Sequence, residues 1–241
     1  MKIVTITLFL LLGFCQCQQI PDYITRCVRT NPDFQQCAIA SATKAIPHIL
    51  RGDRKYNIPS LTPFKIPKVT IQTSSNLKIV ATDLVIYGID TVKLKNLMFD
   101  FDKKTVKISL LMDYLTVLSQ YEIDGRLIVP LQGRGSSNIT TTNSNIDYRA
   151  DFSIQEKDGK DYMNIDKDLV TMKSEDVHYQ LENLFGNQQL SDETNNVLNE
   201  HSKEIANELR GPVSETIRSA VSGIIRSFLT KIPMDEIFLK D

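Results

Sequence analysis

Tryptophan is absent from this chain, and histidine occurs only three times in 241 residues. His48, His178 and His201 are too few and too scattered along the sequence to suggest a zinc site. Each reads as structural or solvated. A basic surplus is also missing, since 28 Lys and Arg face 29 Asp and Glu. That balance lacks the electrostatic footprint of a nucleic-acid binder. The sequence contains no G-x-S-x-G, no H-E-x-x-H, no P-loop and, after residue 17, no C-x-x-C. Gly133-Arg134-Gly135 lacks the rest of any phosphate-binding motif, follows Pro130 and reads as a turn. Asp100 and Asp102 flank Phe101 but read as a solvated hairpin end. The expectation is a protein that is not an enzyme and needs no cofactor or metal. Long apolar runs are missing as well, so no stretch after the first seventeen residues is apolar enough to span a bilayer.

Those seventeen residues read as a signal peptide. Met1-Lys2 is a short positive start, Ile3 to Phe14 is an apolar run too short to span a bilayer, and Cys15 and Cys17 suit cleavage after residue 17. The alternative is an N-terminal anchor. Cleavage removes one Lys and no acid, which leaves a net charge of 27 − 29 = −2. It also reduces four cysteines to two, Cys27 and Cys37. In an oxidising secretory compartment a lone pair reads as one disulfide closing a short loop, with two free thiols as the alternative. Asn138-Ile139-Thr140 is the only N-glycosylation sequon with a permitted middle residue, in a polar Ser/Thr/Asn tract where a surface glycan fits.

Two periodicities divide the rest. From about Leu190 to Ile232, Leu198, Ile205, Leu209, Val213, Ile217, Val221, Ile224, Phe228 and Ile232 recur at helical spacing. Charged and amide residues, Arg218 among them, occupy the opposite face. Ser191 reads as the N-cap, Pro233 as the stop, and Gly211-Pro212 as a bend. Such a helix spans roughly 55–60 Å and needs an elongated cover. A shorter helix around Phe34 to Ile49 is shortened or bent by Pro47. Pro59, Pro63 and Pro67 exclude helix and central strand, so an extended surface segment is expected there. Between Val69 and Leu184 the period is two, punctuated by Gly88, Asp102-Lys103-Lys104, Gly133-Arg134-Gly135 and Asp158-Gly159. Gly125 inside a run marks a bend or bulge. The fold class is therefore α+β. A long C-terminal helix is wrapped by a strongly curved antiparallel sheet, within a single domain over residues 18–241. Gaps lined by Val, Ile, Leu and Phe at the ends of such a wrap suit an apolar ligand with one polar end.

Several segments together resemble the insect takeout / juvenile-hormone-binding protein family. They are Cys27 and Cys37; Ile58-Pro59-Ser60-Leu61-Thr62-Pro63-Phe64; Ile86-Tyr87-Gly88-Ile89; and Ile123-Asp124-Gly125-Arg126 with Pro130 and Gly133-Arg134-Gly135. Leu184-Phe185-Gly186-Asn187-Gln188-Gln189-Leu190, Val197-Leu198-Asn199-Glu200 and Phe228 to Phe238 complete the series. The chain departs from the family in having His201-Ser202 where a Trp is common, in lacking an Asn before Gly186, and in having Gly211-Pro212 for Lys-Pro. The resemblance implies an elongated tubular lipid-binding fold and a secreted, extracellular carrier of a hydrophobic small molecule, a juvenile-hormone-like terpenoid or a fatty-acid-like lipid. The expected lining is Val213, Ile217, Val221, Ile224 and Phe228 from the helix with Tyr121, Leu127, Tyr148 and Phe152 from the sheet. Tyr121 and Tyr148 are the polar candidates. The expected partner is that small molecule alone, bound by a monomer without nucleic acid or stable membrane insertion. The rival readings are a secreted signalling or interaction protein without cargo, and an ester hydrolase for which no motif offers a nucleophile and base.

Overall fold

The computed structural model describes residues 20–73 and 76–240. The expected cleavage site after residue 17 lies outside the described residues. Two strands form the spine: β5 (Thr105–Arg126) and β6 (Pro130–Lys157), 22 and 28 residues long. They pair antiparallel from Thr105 opposite Asp151 to Arg126 opposite Pro130. Each serves two partners in succession on its free edge. β4 (Lys93–Asp100) pairs with the first part of β5, and β3 (Lys78–Tyr87) with the last. β8 (Asp176–Leu181) pairs with β6 up to Thr142, and β7 (Lys160–Lys173) takes over from Asn145. β2 (Phe64–Gln72) adds an edge to β3. Strands of this length twist and coil, because right-handed twist accumulates with every residue.

The long strands hold the sequence's alternation but slip phase once. Thr141 and Ser144 are both buried, and Asn143 between them has φ 44°. This slip coincides with the change of partner on β6. The turn expected at Gly133-Arg134-Gly135 is instead part of β6, and the hairpin turns at residues 127–129. The glycines serve close approach. A Cβ on Gly133 would lie 2.9 Å from Leu184 Cα, and one on Gly135 would lie 2.4 Å from the Glu182 carbonyl oxygen. Gly125 takes a φ of 131°, and a Cβ there would lie 2.3 Å from the Asn76 carbonyl oxygen, while the β5–β6 register runs through it without a bulge. The proline segment is extended as expected, but from Phe64 it joins the sheet as an edge strand, where Pro67 has no register partner.

The helical run differs from its sequence reading in three places. α2 (Gln188–Glu200) and α3 (Ser202–Leu229) are separate helices that break at His201, while α3 continues through Pro212. The cap is Asn187, whose side chain accepts from the Leu190 amide; Ser191 is buried, and its hydroxyl accepts the Leu184 amide at 2.6 Å. α3 ends at Leu229, and Pro233 instead begins the short α4 (Met234–Ile237). α3 alone spans about 42 Å from its 28 residues. α1 (Phe34–Arg51) contains Pro47 without ending there. The Cys27–Cys37 disulfide joins it to β1 (Cys27–Val28), which pairs in parallel with β9 (Phe238–Leu239) at the C-terminus.

Candidate functional site

α3 packs against β7, β8 and β2, so it bridges both margins of the curled sheet. Its best-buried side chains along the middle and end are serines, Ser214 and Ser222. With them, at steps of four, stand Arg218 and Arg226. Arg218 Nη1 donates to Asp168 Oδ1 at 2.9 Å, and Arg226 Nη1 donates to the Ile165 carbonyl oxygen. Small side chains bring the helix close to β7, and the two guanidinium groups fasten it there. The face expected to be solvated at Arg218 is therefore this seam. Hydrogen bonds to Glu215 and Asp168 raise the Arg218 pKa further above its ordinary value.

The apolar face beside the seam behaves in the opposite way. Val213, Ile217, Val221, Ile224 and Phe228 are only half-buried. The sheet's inner wall matches them. Leu110 lies opposite Ile146, and Ile108 opposite Tyr148. Paired residues share a face, yet Ile146 and Tyr148 are buried while Ile108 and Leu110 remain half-buried. The two apolar inner walls thus meet incompletely. An ordinary amphipathic helix buries its apolar stripe and exposes its serines.

The structure divides the nine residues expected to line a site. Ile217, Val221, Ile224 and Phe228 pack on one apolar cluster, of which Tyr148 and Phe152 are buried members. Tyr121 and Leu127 belong to a second cluster, with Leu77, Ile123, Leu131, Tyr179, Leu181, Leu184, Leu198 and Ile205. Val213 belongs to neither. Both tyrosine hydroxyls are already engaged. Tyr121 donates to the Glu182 carbonyl oxygen at 2.7 Å, and burial with the nearby Glu182 charge pushes its pKa up to about 12. Tyr148 donates to Asp168 Oδ2 at 3.3 Å; burial first, and then the Asp168 charge, raises its pKa. Ser222 is buried beside it.

Asp168 is the inner-wall residue that sequence reasoning missed. Its side chain is 2% exposed although its neighbour Leu169 is 59% exposed. A register shift between Asp151 and Phe152 of β6 leaves Asp166 unpaired on β7, and the extra residue turns Asp168 inward and Leu169 outward. No period-two count anticipates that inversion. Outside the wrap, a groove of about 450 Å³ lies between the β5–β6 turn and α2, lined by Val129, Pro130, Phe185, Leu190 and Val197 with Glu193 and Thr194. Asn138 stands mid-strand on β6, between Leu118 of β5 and Gln180 of β8, with its Oδ1 buried.

A helix bridging the margins of a coiled sheet, with half-buried apolar walls between them, matches known proteins. The profile of the haemolymph juvenile hormone binding protein (JHBP) family fits residues 4–239. The chain belongs to that family. Among JHBP-family relatives, the circadian clock-controlled protein daywake of Drosophila yakuba is 28% identical over 196 residues, covering 76% of this chain and 74% of that protein. The Drosophila melanogaster daywake protein is 25% identical over 235 residues, covering 92% and 89%. The crystal structure of takeout 1 from Epiphyas postvittana shares the fold, with a TM-score of 0.80 and 24% identity over 90% of this chain and 100% of that one. The JHBP-family architecture is thus the curved antiparallel sheet and C-terminal helix expected from the sequence.

Proposed function

We propose that this protein is a secreted carrier that holds a hydrophobic small molecule, a juvenile-hormone-like terpenoid or a fatty-acid-like lipid, between α3 and the inner wall of the sheet. The observation that carries the reading is the inverted burial along the middle and end of α3, where Ser214 and Ser222 are buried while Val213, Ile217, Val221, Ile224 and Phe228 are half-buried. Membership of a family named for binding juvenile hormone supports it. Residues 1–17 act as the secretion signal and residues 18–241 form one lipid-binding domain. Val213, Ile217, Val221, Ile224 and Phe228 line the ligand's path, with Tyr148 and Phe152 at one end and Tyr121 and Leu127 at the other. Removing apolar ligand surface from water drives binding, at about 25 cal/mol per Å² before the costs of association. The protein acts as a monomer, without chemistry on its cargo.

The test is lipid extraction and native mass spectrometry of the protein recovered from the medium of secreting cells, with displacement of a dansyl-labelled fatty acid. Displacement by a terpenoid ester or a fatty acid is expected. Val221→Trp, which fills the space, should weaken it at least tenfold. Secreted protein with no extractable lipid and no displaceable probe overturns the carrier reading in favour of an interaction protein without cargo.

A further inference from the structure

The outer face of the sheet is laid out in rows by the strand register. Leu118 of β5 lies opposite Val85 of β3 on one side and Asn138 of β6 on the other, and Gln180 of β8 continues the row. One step along, Tyr87, Thr116, Thr140 and His178 form the next row. A further step brings Tyr114 opposite Thr142. Residues opposite each other, or two apart along a strand, share a face. Leu118, Tyr87 and Tyr114 are 38%, 46% and 48% exposed. Three large, mostly apolar side chains thus lie open within two rows of Asn138.

Beside them the face is hollowed. The β3–β5 register slips between Thr82 and Val85, where Asp83 takes a φ of 52°. A bulge of this kind bends its strand. The depression next to it, of about 370 Å³, is lined by Asp83, Leu118, Gln120, Asn138, Gln180 and Glu182 with neighbouring serines. None of its lining residues is a cation. Two carboxylates and three side-chain amides surround the apolar Leu118. Glu182 Oε2 accepts the Ser136 hydroxyl at 2.7 Å, which leaves its other oxygen to accept again. Such a set suits a ligand that brings O–H and N–H donors on a carbon ring. The sequon amide is oriented for attachment. Its Oδ1 is buried without a partner, while its Nδ2 donates no hydrogen bond among the described residues and is not buried. The oxygen therefore faces inward and the nitrogen outward.

We propose that Asn138 carries an N-linked glycan whose first N-acetylglucosamine is seated in this depression and whose outer sugars cover Tyr87 and Tyr114. The inference rests on the secretion proposed above and is independent of the cargo. Attachment takes place on the nascent chain, before β6 is built into the sheet. Nδ2 bonds to the anomeric carbon of the sugar and gives up one proton. The bond from that carbon to the pyrophosphate of a lipid-linked oligosaccharide breaks, and the pyrophosphate leaves with the bonding electrons. After folding, the sugar ring lies against Leu118, directly opposite Asn138. Its hydroxyls and acetamido N–H donate to Asp83 and Glu182. Exposed apolar patches invite association. A bulky, solubilising glycan shields this one, so the outer face stays passive while the inner wall serves the cargo.

The test uses the full chain expressed in cultured insect cells and recovered from the medium. Glycopeptide mass spectrometry of the tryptic peptide 135–149 is expected to find the sugar on Asn138 in most copies. An endoglycosidase then trims the glycan to its first sugar. Thermal melts compare this form with Thr140→Ala, which removes the sequon from outside the depression. The trimmed protein should melt about 2–4 °C higher, the shift one good hydrogen bond gives a chain of this size. Asn138→Gln serves as the unglycosylated form if Thr140→Ala fails to fold. Leu118→Ala should remove most of the advantage. Unmodified Asn138 in secreted protein overturns the proposal and leaves secretion and the carrier standing. A first sugar that adds nothing to the melt, or an advantage untouched by Leu118→Ala, overturns the seat. Protein that stays in the cells with residues 1–17 attached overturns the secretion reading and this inference together.

Discussion

The two ends of the wrap are closed by different physics. At the end built from α1, β4 and the C-terminus, four phenylalanine rings meet. Phe99 and Phe238 centroids are 5.0 Å apart, Phe101 and Phe238 are 5.3 Å, and Phe34 and Phe101 are 5.4 Å, all edge-on. Aromatic pairs in this geometry add to their burial because ring edges are positive and faces negative. Among the described residues, the end built from α2 and β8 has no such ring cluster. Two asparagines close it instead. Asn199 accepts the Tyr179 amide at 2.8 Å and donates to the Tyr179 carbonyl oxygen at 2.9 Å, and Asn195 does the same for Leu181 at 2.9 and 2.8 Å. Four residues of helix rise about 6 Å and two residues of strand about 6.6 Å. The spacing lets α2 imitate the next strand and cover an edge that would otherwise invite pairing with another chain. One end is held by apolar packing, which tolerates sliding. The other is held by directed bonds, which fix register.

Breaking the aromatic end should have the largest effect. Phe238→Ala empties a buried ring site shared by α1, β4 and β9, and a loss of about 3–5 kcal/mol is expected in denaturant unfolding. A loss below 1 kcal/mol would show that the rings do not carry this end. The disulfide at the same end comes next. It closes a separation of 10 residues, so Cys27→Ser with Cys37→Ser should cost about 2–3 kcal/mol in the same assay. At the other end, Asn199→Ala strands the Tyr179 amide and carbonyl, and about 2 kcal/mol is expected. Hydrogen exchange separates the two modes. The Tyr179 and Leu181 amides should lose protection in Asn199→Ala while amides of β4 keep theirs; uniform loss across both ends would erase the distinction.

The smallest effect appears only in alkali. Burial pushes the Tyr179 pKa up to about 12, and Tyr121 in the same cluster reaches about 12. An unfolded tyrosine titrates near ~10. Between these values the folded protein holds more protons than the unfolded one, so stability is complete below pH 10 and falls as pH rises toward 12. Tyr179→Phe should flatten that decline in melts recorded across this range. An unchanged slope would place the alkaline sensitivity elsewhere.

Much of the architecture was legible from period alone. The change from a two-residue to a 3.6-residue repeat near residue 185 separates sheet from helix, and the lengths of the runs demand a curved wrap. The disulfide followed from the two cysteines, Cys27 and Cys37, that remain beyond the expected signal peptide. The site was legible only in part. The α3 stripe was read as a set of apolar positions, but the best-buried residues along the middle and end of the helix are Ser214 and Ser222, on the face that Arg218 and Arg226 fasten to β7. Tyr121 and Tyr148 were paired as head-group candidates, yet they sit in different clusters with their hydroxyls already bonded.

By itself the sequence determined what local chemistry repeats can specify: which segments are helix or strand, which face of each is apolar, and that a long helix needs a long cover. Tertiary structure decided what depends on where partners stop and start. The break at His201, the inward turn of Asp168 and the burial of Ser214 and Ser222 all arise where a strand changes neighbour or a helix meets another layer. Those positions are set by packing between residues distant in sequence, and a periodicity carries no record of them.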